Sequence, residues 1–252
     1  MLKKRIIPKL LLKNGRMVKG VEFANFRDTG DPISASRIYN HQYADELVFL
    51  DIDATVTGQS ELLNIIEKVS SECFMPLSVG GGIKTLGMAR ELIAAGADKV
   101  VLNSVCYENP GLVREISEVF GEQAVVVSID CRFENGQWRL FSHSGSKPES
   151  VSLADHFSHI DELGCGEYLI QNIQHDGHRE GYDLELLREC VRLTNTPIVI
   201  GAGAGHFMHL VDAFENGAHG VGCASIFHFA DNNPLRARSY LKNKGINVRS
   251  YK

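Results

Sequence analysis

The chain has 252 residues, 44% of them hydrophobic and 23% charged, with a formal net charge of −5. That composition supplies a sizeable core but no basic field to hold nucleic acid or an anionic membrane, so any anionic ligand must be gripped locally. Six cysteines without a C-x-x-C pair speak against a zinc site or a disulfide framework and read as reduced, partly buried thiols of a soluble, cytoplasmic protein.

The first residues, MLKKRIIPKLLLKNGR, mimic a secretory leader briefly. Pro8 and Lys9 interrupt the apolar stretch and no small-residue cleavage site follows; no later run reaches the length of a membrane span. Short apolar runs then alternate with amphipathic stretches. The expected strands are Arg5–Leu12, Glu46–Asp51, Pro76–Gly80, Lys99–Leu102, Ala124–Asp130, Glu167–Gln171, Pro197–Gly201 and Gly220–Ala224. Between them, patterns such as Leu62-Leu63-Ile65-Ile66-Val69 and Leu184-Leu187-Cys190-Val191 repeat at helical spacing. After the fifth strand, Asn135-Gly136 between alternating runs predicts a β-hairpin over the mouth.

An internal repeat chooses between a closed barrel and an open sheet. Pro76–Gly82 reappears as Pro197–Gly203, Ala95–Ser104 as Asn216–Ser225 and Glu46 as Glu167, each 121 positions later. One shift held across three units means that the second half repeats the first. Two such halves predict a single (βα)8 TIM barrel, made of duplicated (βα)4 halves and occupying residues 1–252 as one domain.

Small residues cluster at four strand ends: Gly81 and Gly82, Asn103 and Ser104, Gly203, and Ala224 with Ser225. Glycine lets backbone N–H groups close on an oxyanion, and hydroxyls add donors. Read alone, either loop is as well explained by a tight turn; in register, the two predict opposed phosphate sites for a phosphorylated, sugar-like substrate with a phosphate at each end. Asp51, Asp130 and Asp176 stand at strand ends as candidate acids or bases, with Asp130 favoured because its apolar run limits water. Asp53 reads equally as a loop cap. His143, His175 and His178 lack the carboxylate and histidine spacing of a metal site, so no metal and no cofactor is expected.

Longer segments carry a resemblance: RIIP at Arg5–Pro8, GRMVKGVEF at Gly15–Phe23, GDP at Gly30–Pro32 and ADELVFLDI at Ala44–Ile52. VGGGI at Val79–Ile83, AGADKVVLNS, SID at Ser128–Asp130, DGHREGYD at Asp176–Asp183, GAG and ASIFHF at Ala224–Phe229 extend it. The chain resembles the cyclase-subunit (HisF) family of imidazole glycerol phosphate synthase over nearly its full length. The resemblance implies a heterodimer with a glutaminase (HisH-type) subunit whose ammonia crosses the barrel to a phosphoribulosyl bisphosphate. It implies an ammonia gate at Arg5, Glu46, Lys99 and Glu167, partner docking near Asp98, and roles for Lys19 and Gly177 beside Asp130, Asp176 and Asp51. The match departs at the first strand, where the family carries an acid in a pattern like C-L-D-V-K-D-G and this chain reads Lys9-Leu10-Leu11-Leu12-Lys13-Asn14-Gly15. Losing one positioned acid costs about 10²–10⁴ in rate. Leu-Leu-Leu-Lys resembles a divergent branch associated with amidation of nucleotide-linked surface-polysaccharide sugars, and a barrel serving only as the glutaminase's conduit is a further alternative.

Overall fold

The computed structural model describes residues 3–53, 60–228 and 231–250; Met1 and Leu2 of the leader-like segment and Phe229 of ASIFHF lie outside them. In chain order, β1 (Arg5–Lys13) runs into an antiparallel hairpin of β2 (Arg16–Val21) and β3 (Ala24–Gly30), then α1 (Pro32–His41). β4 (Leu47–Asp51), α2 (Ser60–Glu72), β5 (Leu77–Gly80), α3 (Leu86–Ala94) and β6 (Lys99–Leu102) follow, with α4 (Val105–Glu108) and α5 (Gly111–Phe120). β7 (Val125–Glu134) turns back as β8 (Gln137–Ser142) and a short β9 (Lys147–Pro148) before α6 (Leu153–Leu163) and β10 (Glu167–Asn172). The chain ends through α7 (Leu184–Leu193), β11 (Ile198–Gly201), α8 (Phe207–Glu215), β12 (Gly220–Cys223), α9 (Ser225–His228) and α10 (Pro234–Asn243).

Eight of these strands close a parallel barrel in the order β1, β4, β5, β6, β7, β10, β11, β12, and β12 pairs back onto β1 with Arg5 opposite Gly220. Strands buried on both faces are required in such a barrel, and β5, β11 and β12 are buried at every residue. Helix starts are set by local chemistry. Asp31, Ser152, Asp183 and Asn233 each accept a backbone N–H of the first turn, and Pro32 and Pro234 open α1 and α10 where a missing N–H costs nothing. Alternation along each strand sorts the core into two. Ile6, Leu10 and Phe49 face the helices in the larger cluster, each side chain worth about 1.5–3 kcal/mol when fully buried. Ile7, Val48, Val101, Val126, Leu169 and Val199 form a separate layer inside the barrel.

The expected hairpin after the fifth strand is present, with Glu134 opposite Gln137 and positive φ at Asn135 and Gly136. β7 therefore runs four residues past the expected end at Asp130. A second hairpin stands where none was expected: Lys13 pairs with Arg16 across Asn14-Gly15, both at positive φ. This is the same two-residue turn chemistry, and it carries β2 and β3 over the mouth. All six cysteines are buried and free. Among the described residues, no helix is long and apolar enough to cross a membrane.

Candidate active site

At the barrel floor Arg5, Lys99 and Glu167 are the first residues of β1, β6 and β10, and Glu46, expected to open its strand, stands one residue before β4. Arg5 Nη1 lies 2.9 Å from Glu46 Oε2, and its Nη2 meets Glu167 Oε1. Lys99 Nζ closes the ring, 3.0 Å from Glu46 and 2.8 Å from Glu167. Ser78 donates a further hydrogen bond to Glu46. Both carboxylates are buried and each has two cations, so the desolvation cost is met by complementary charge on all sides. Burial by itself raises the Glu167 carboxyl, but the hydrogen bonds and charges of Arg5 and Lys99 outweigh it and hold the group below its ordinary value. Asp98 is exposed beside this floor, its Oδ2 accepting the Leu77 N–H at 2.8 Å.

Above the apolar layer the lumen turns polar and opens into a cavity of about 380 Å³. Asp51, Gly81, Gly82, Asn103, Ser104 and Asp130 all line it, so the first-half cradle and two of the candidate acids share one space. Phe23 and Phe26 of the β2–β3 hairpin wall it from above, which is how an overlooked element enters the site. Asp130 is buried at the end of its apolar run. Its Oδ1 accepts Gln171 Nε2 at 2.8 Å and its Oδ2 accepts Asn103 Nδ2 at 3.2 Å. Burial pushes its pKa up to about 6, against the Lys9 charge and the Gln171 hydrogen bond, which pull it down. Asp51 ends β4 half-buried and caps its own loop by accepting the Asp53 N–H at 2.9 Å.

Lys19 and Asp176 meet elsewhere. Their side chains pair at 2.8 Å, both buried, under the hairpin. With Gly177, Gly203, Ala224 and Ser225 they line a second cavity of about 10 Å³, the space of a single water. The duplicated loops thus make two cradles of unequal size: the first open, the second nearly filled, with Arg179 also at its wall. Gly203 sits at φ +105°, where an added Cβ would fall 2.0 Å from Gly181 O. Gly81 in the first cradle has φ +129° and the Asp51 carbonyl 2.4 Å from that point. Close backbone approach demands glycine at both.

Strand register locates the missing acid. Leu11 pairs with Leu50 on β4, and Asp130 pairs with Gln171 on β10. Leu50 and Gln171 are equivalent by the 121-residue repeat, so Leu11 is the first-half counterpart of Asp130. It is 7% exposed and lines the large cavity with carbon where its partner half presents a carboxylate. Lys9 and Gln171 were not among the expected site residues. Lys9 lines both cavities and its Nζ donates to Gln171 Oε1. The inward alternation Arg5, Ile7, Lys9, Leu11 along β1 would have revealed it.

This arrangement has relatives. Residues 5–233 match the family model described as histidine biosynthesis protein. The chain is 46% identical to the imidazole glycerol phosphate synthase subunit HisF of Exiguobacterium sibiricum, covering 99% of this chain and 100% of that relative. It is 43% identical to the subunit of the same name from a Thermotoga species, over 99% and 98% of the two chains. The Pyrococcus furiosus subunit is 39% identical over 99% of each. A duplicated barrel, glycine cradles on one mouth and kinship along the whole length converge: the chain belongs to the histidine biosynthesis protein family, in its HisF branch.

Proposed function

We propose that this chain, as one barrel domain over residues 1–252, is a HisF-type synthase subunit. It takes ammonia from a glutaminase partner and uses it on a phosphoribulosyl bisphosphate, forming imidazole glycerol phosphate and aminoimidazole carboxamide ribotide. Asp130 carries the reading: a carboxylate with pKa near 6, facing a cavity walled by Gly81, Gly82, Asn103 and Ser104, directly above a floor closed by paired charges. A group poised near neutral pH is suited to move protons as ammonia adds to a carbonyl. The Gly177, Gly203, Ala224 and Ser225 loops, which enclose only a water-sized space here, open to take the second phosphate, and Lys19 with Asp176 orients the hairpin over it. Asp51 borders the cavity as a second proton acceptor, and Asp98 belongs to the partner-docking face.

Leu11 favours a second reading, in which the same ammonia delivery serves amidation of a nucleotide-linked sugar. An apolar wall opposite Asp130 leaves one acid where the duplicated architecture has room for two. Turnover of the bisphosphate with free ammonium, compared between the parent and Leu11→Asp, tests both. Product from the parent supports the cyclase. Activity that appears only in Leu11→Asp supports the divergent reading. Absence of bisphosphate binding by either form sinks the assignment of both cradles.

A further inference from the structure

Lys9 is a buried lysine held directly by a neutral side chain. It is 2% exposed, and its Nζ donates to the side-chain oxygen of Gln171, a neutral acceptor. Among the described residues no carboxylate pairs with it, whereas the neighbouring Lys19 has Asp176 at 2.8 Å. Gln171 bridges Lys9 to Asp130, whose Oδ1 accepts the Gln171 amide nitrogen at 2.8 Å. A buried ammonium lacking a direct counter-ion is costly, and such costs persist in folded proteins where a ligand removes them.

Position says what that ligand is. Lys9 lines both the 380 Å³ cavity and the small second one, and so stands at the waist between the two glycine cradles. Leu11, two residues on and on the same face of β1, offers no competing carboxylate. We propose that Lys9 is an anion receptor shared by the two cradles, supplying the charge that holds the phosphate oxygens of a bound phosphate ester. This deepens the reading of the same mouth as a bisphosphate site and rests on it. The groups facing Lys9 are Lys19 on β2, Asp130 on β7, Asp176 and Arg179 in the loop after β10, Cys223 on β12, and His228, whose Nε2 lies 3.4 Å from the Lys9 carbonyl. Burial lowers the Lys9 pKa, and Lys19 lowers it further against the opposing pull of Asp176 and Asp130. An arriving phosphate opposes that lowering and favours the protonated amine.

The test is calorimetry of the whole chain with inorganic phosphate and with ribulose 1,5-bisphosphate, in buffers of different ionisation enthalpy, on the parent, Lys9→Met and Lys9→Arg. The expected result is greater proton uptake on binding in the parent than in Lys9→Met. Lys9→Met reduces that uptake and weakens both ligands by about tenfold or more, and Lys9→Arg restores part of the affinity. Thermal melting separates this from a structural role: Lys9→Met melts at or above the parent temperature, because an unpaired buried charge has been removed. Unchanged affinity and proton uptake in Lys9→Met, or a lowered melting temperature with unchanged affinity, overturns the proposal. A parent that binds phosphate through Lys9 yet forms no cyclase product retires the cyclase reading while leaving the receptor in place.

Discussion

Lys19 Nζ lies 2.8 Å from Asp176 Oδ2, and this pair fastens the β2–β3 hairpin to the loop after β10 across 157 residues of sequence. A backbone bond from Glu22 N to Asp176 O, 2.9 Å, reinforces the joint. Lys19→Met leaves the Asp176 carboxylate buried without its cation, which costs about 3–5 kcal/mol. Urea unfolding measures it. Pairing the change with Asp176→Leu recovers most of the loss, and a double variant as weak as the single one would show that the ion pair is not what holds the joint.

Asp130 sets a pH dependence whose direction follows from burial. Its folded pKa of about 6 stands above the ordinary 3.8, so the folded protein resists ionising it, and stability is lost as pH rises through that interval. Asp130→Asn is accordingly more stable than the parent at pH 8, by roughly 3 kcal/mol at most, with the gap closing toward pH 4. Two donors, Gln171 and Asn103, favour the carboxylate as the working form. Turnover therefore falls as pH drops through about 6 in the parent, and Asn at this position lowers it by about 10²–10⁴. A pH–rate profile without an inflection near 6 would remove Asp130 from the chemistry.

The floor ring predicts a thermodynamic asymmetry. Arg5→Leu leaves two buried carboxylates sharing Lys99 and destabilises the barrel by on the order of 3 kcal/mol. Adding Glu167→Leu returns one anion to one cation, so the double variant unfolds at higher denaturant than the single one. Equal midpoints for the two would contradict the ring as a coupled unit.

The two cradles are separable by single methyl groups. Gly203→Ala forces a residue at φ +105° to carry a Cβ 2.0 Å from the Gly181 carbonyl, and Gly81→Ala does the same against Asp51. Each costs about 1–3 kcal/mol of strain at the site. Because the open cradle is the larger, Gly81→Ala weakens inorganic phosphate binding more than Gly203→Ala does. Titration of both variants, by calorimetry, decides it; the opposite ranking would place the tighter site in the second half.

Much of this was legible in the residues. Apolar runs of strand length, the shift of 121 and the glycine turns at Gly81 and Gly203 determined an eight-strand barrel with cradles on one rim. Arg5, Glu46, Lys99 and Glu167 each stand at or one residue before a strand start, so their meeting at one end follows from parallel pairing. The first hairpin was encoded just as plainly by Asn14-Gly15, which has the same two-residue turn chemistry as Asn135-Gly136.

Tertiary structure decided the rest. Alternation along a strand tells which residues share a face, but the slide of one strand against another is set by closure of the whole barrel. Only that register makes Leu11, and not Lys9, the counterpart of Asp130. Only packing makes one cradle roomy and its duplicate water-sized. And only the lumen's geometry leaves Lys9 with a neutral amide as its partner, because charges distant in sequence are matched or left unmatched by where the strands bring them.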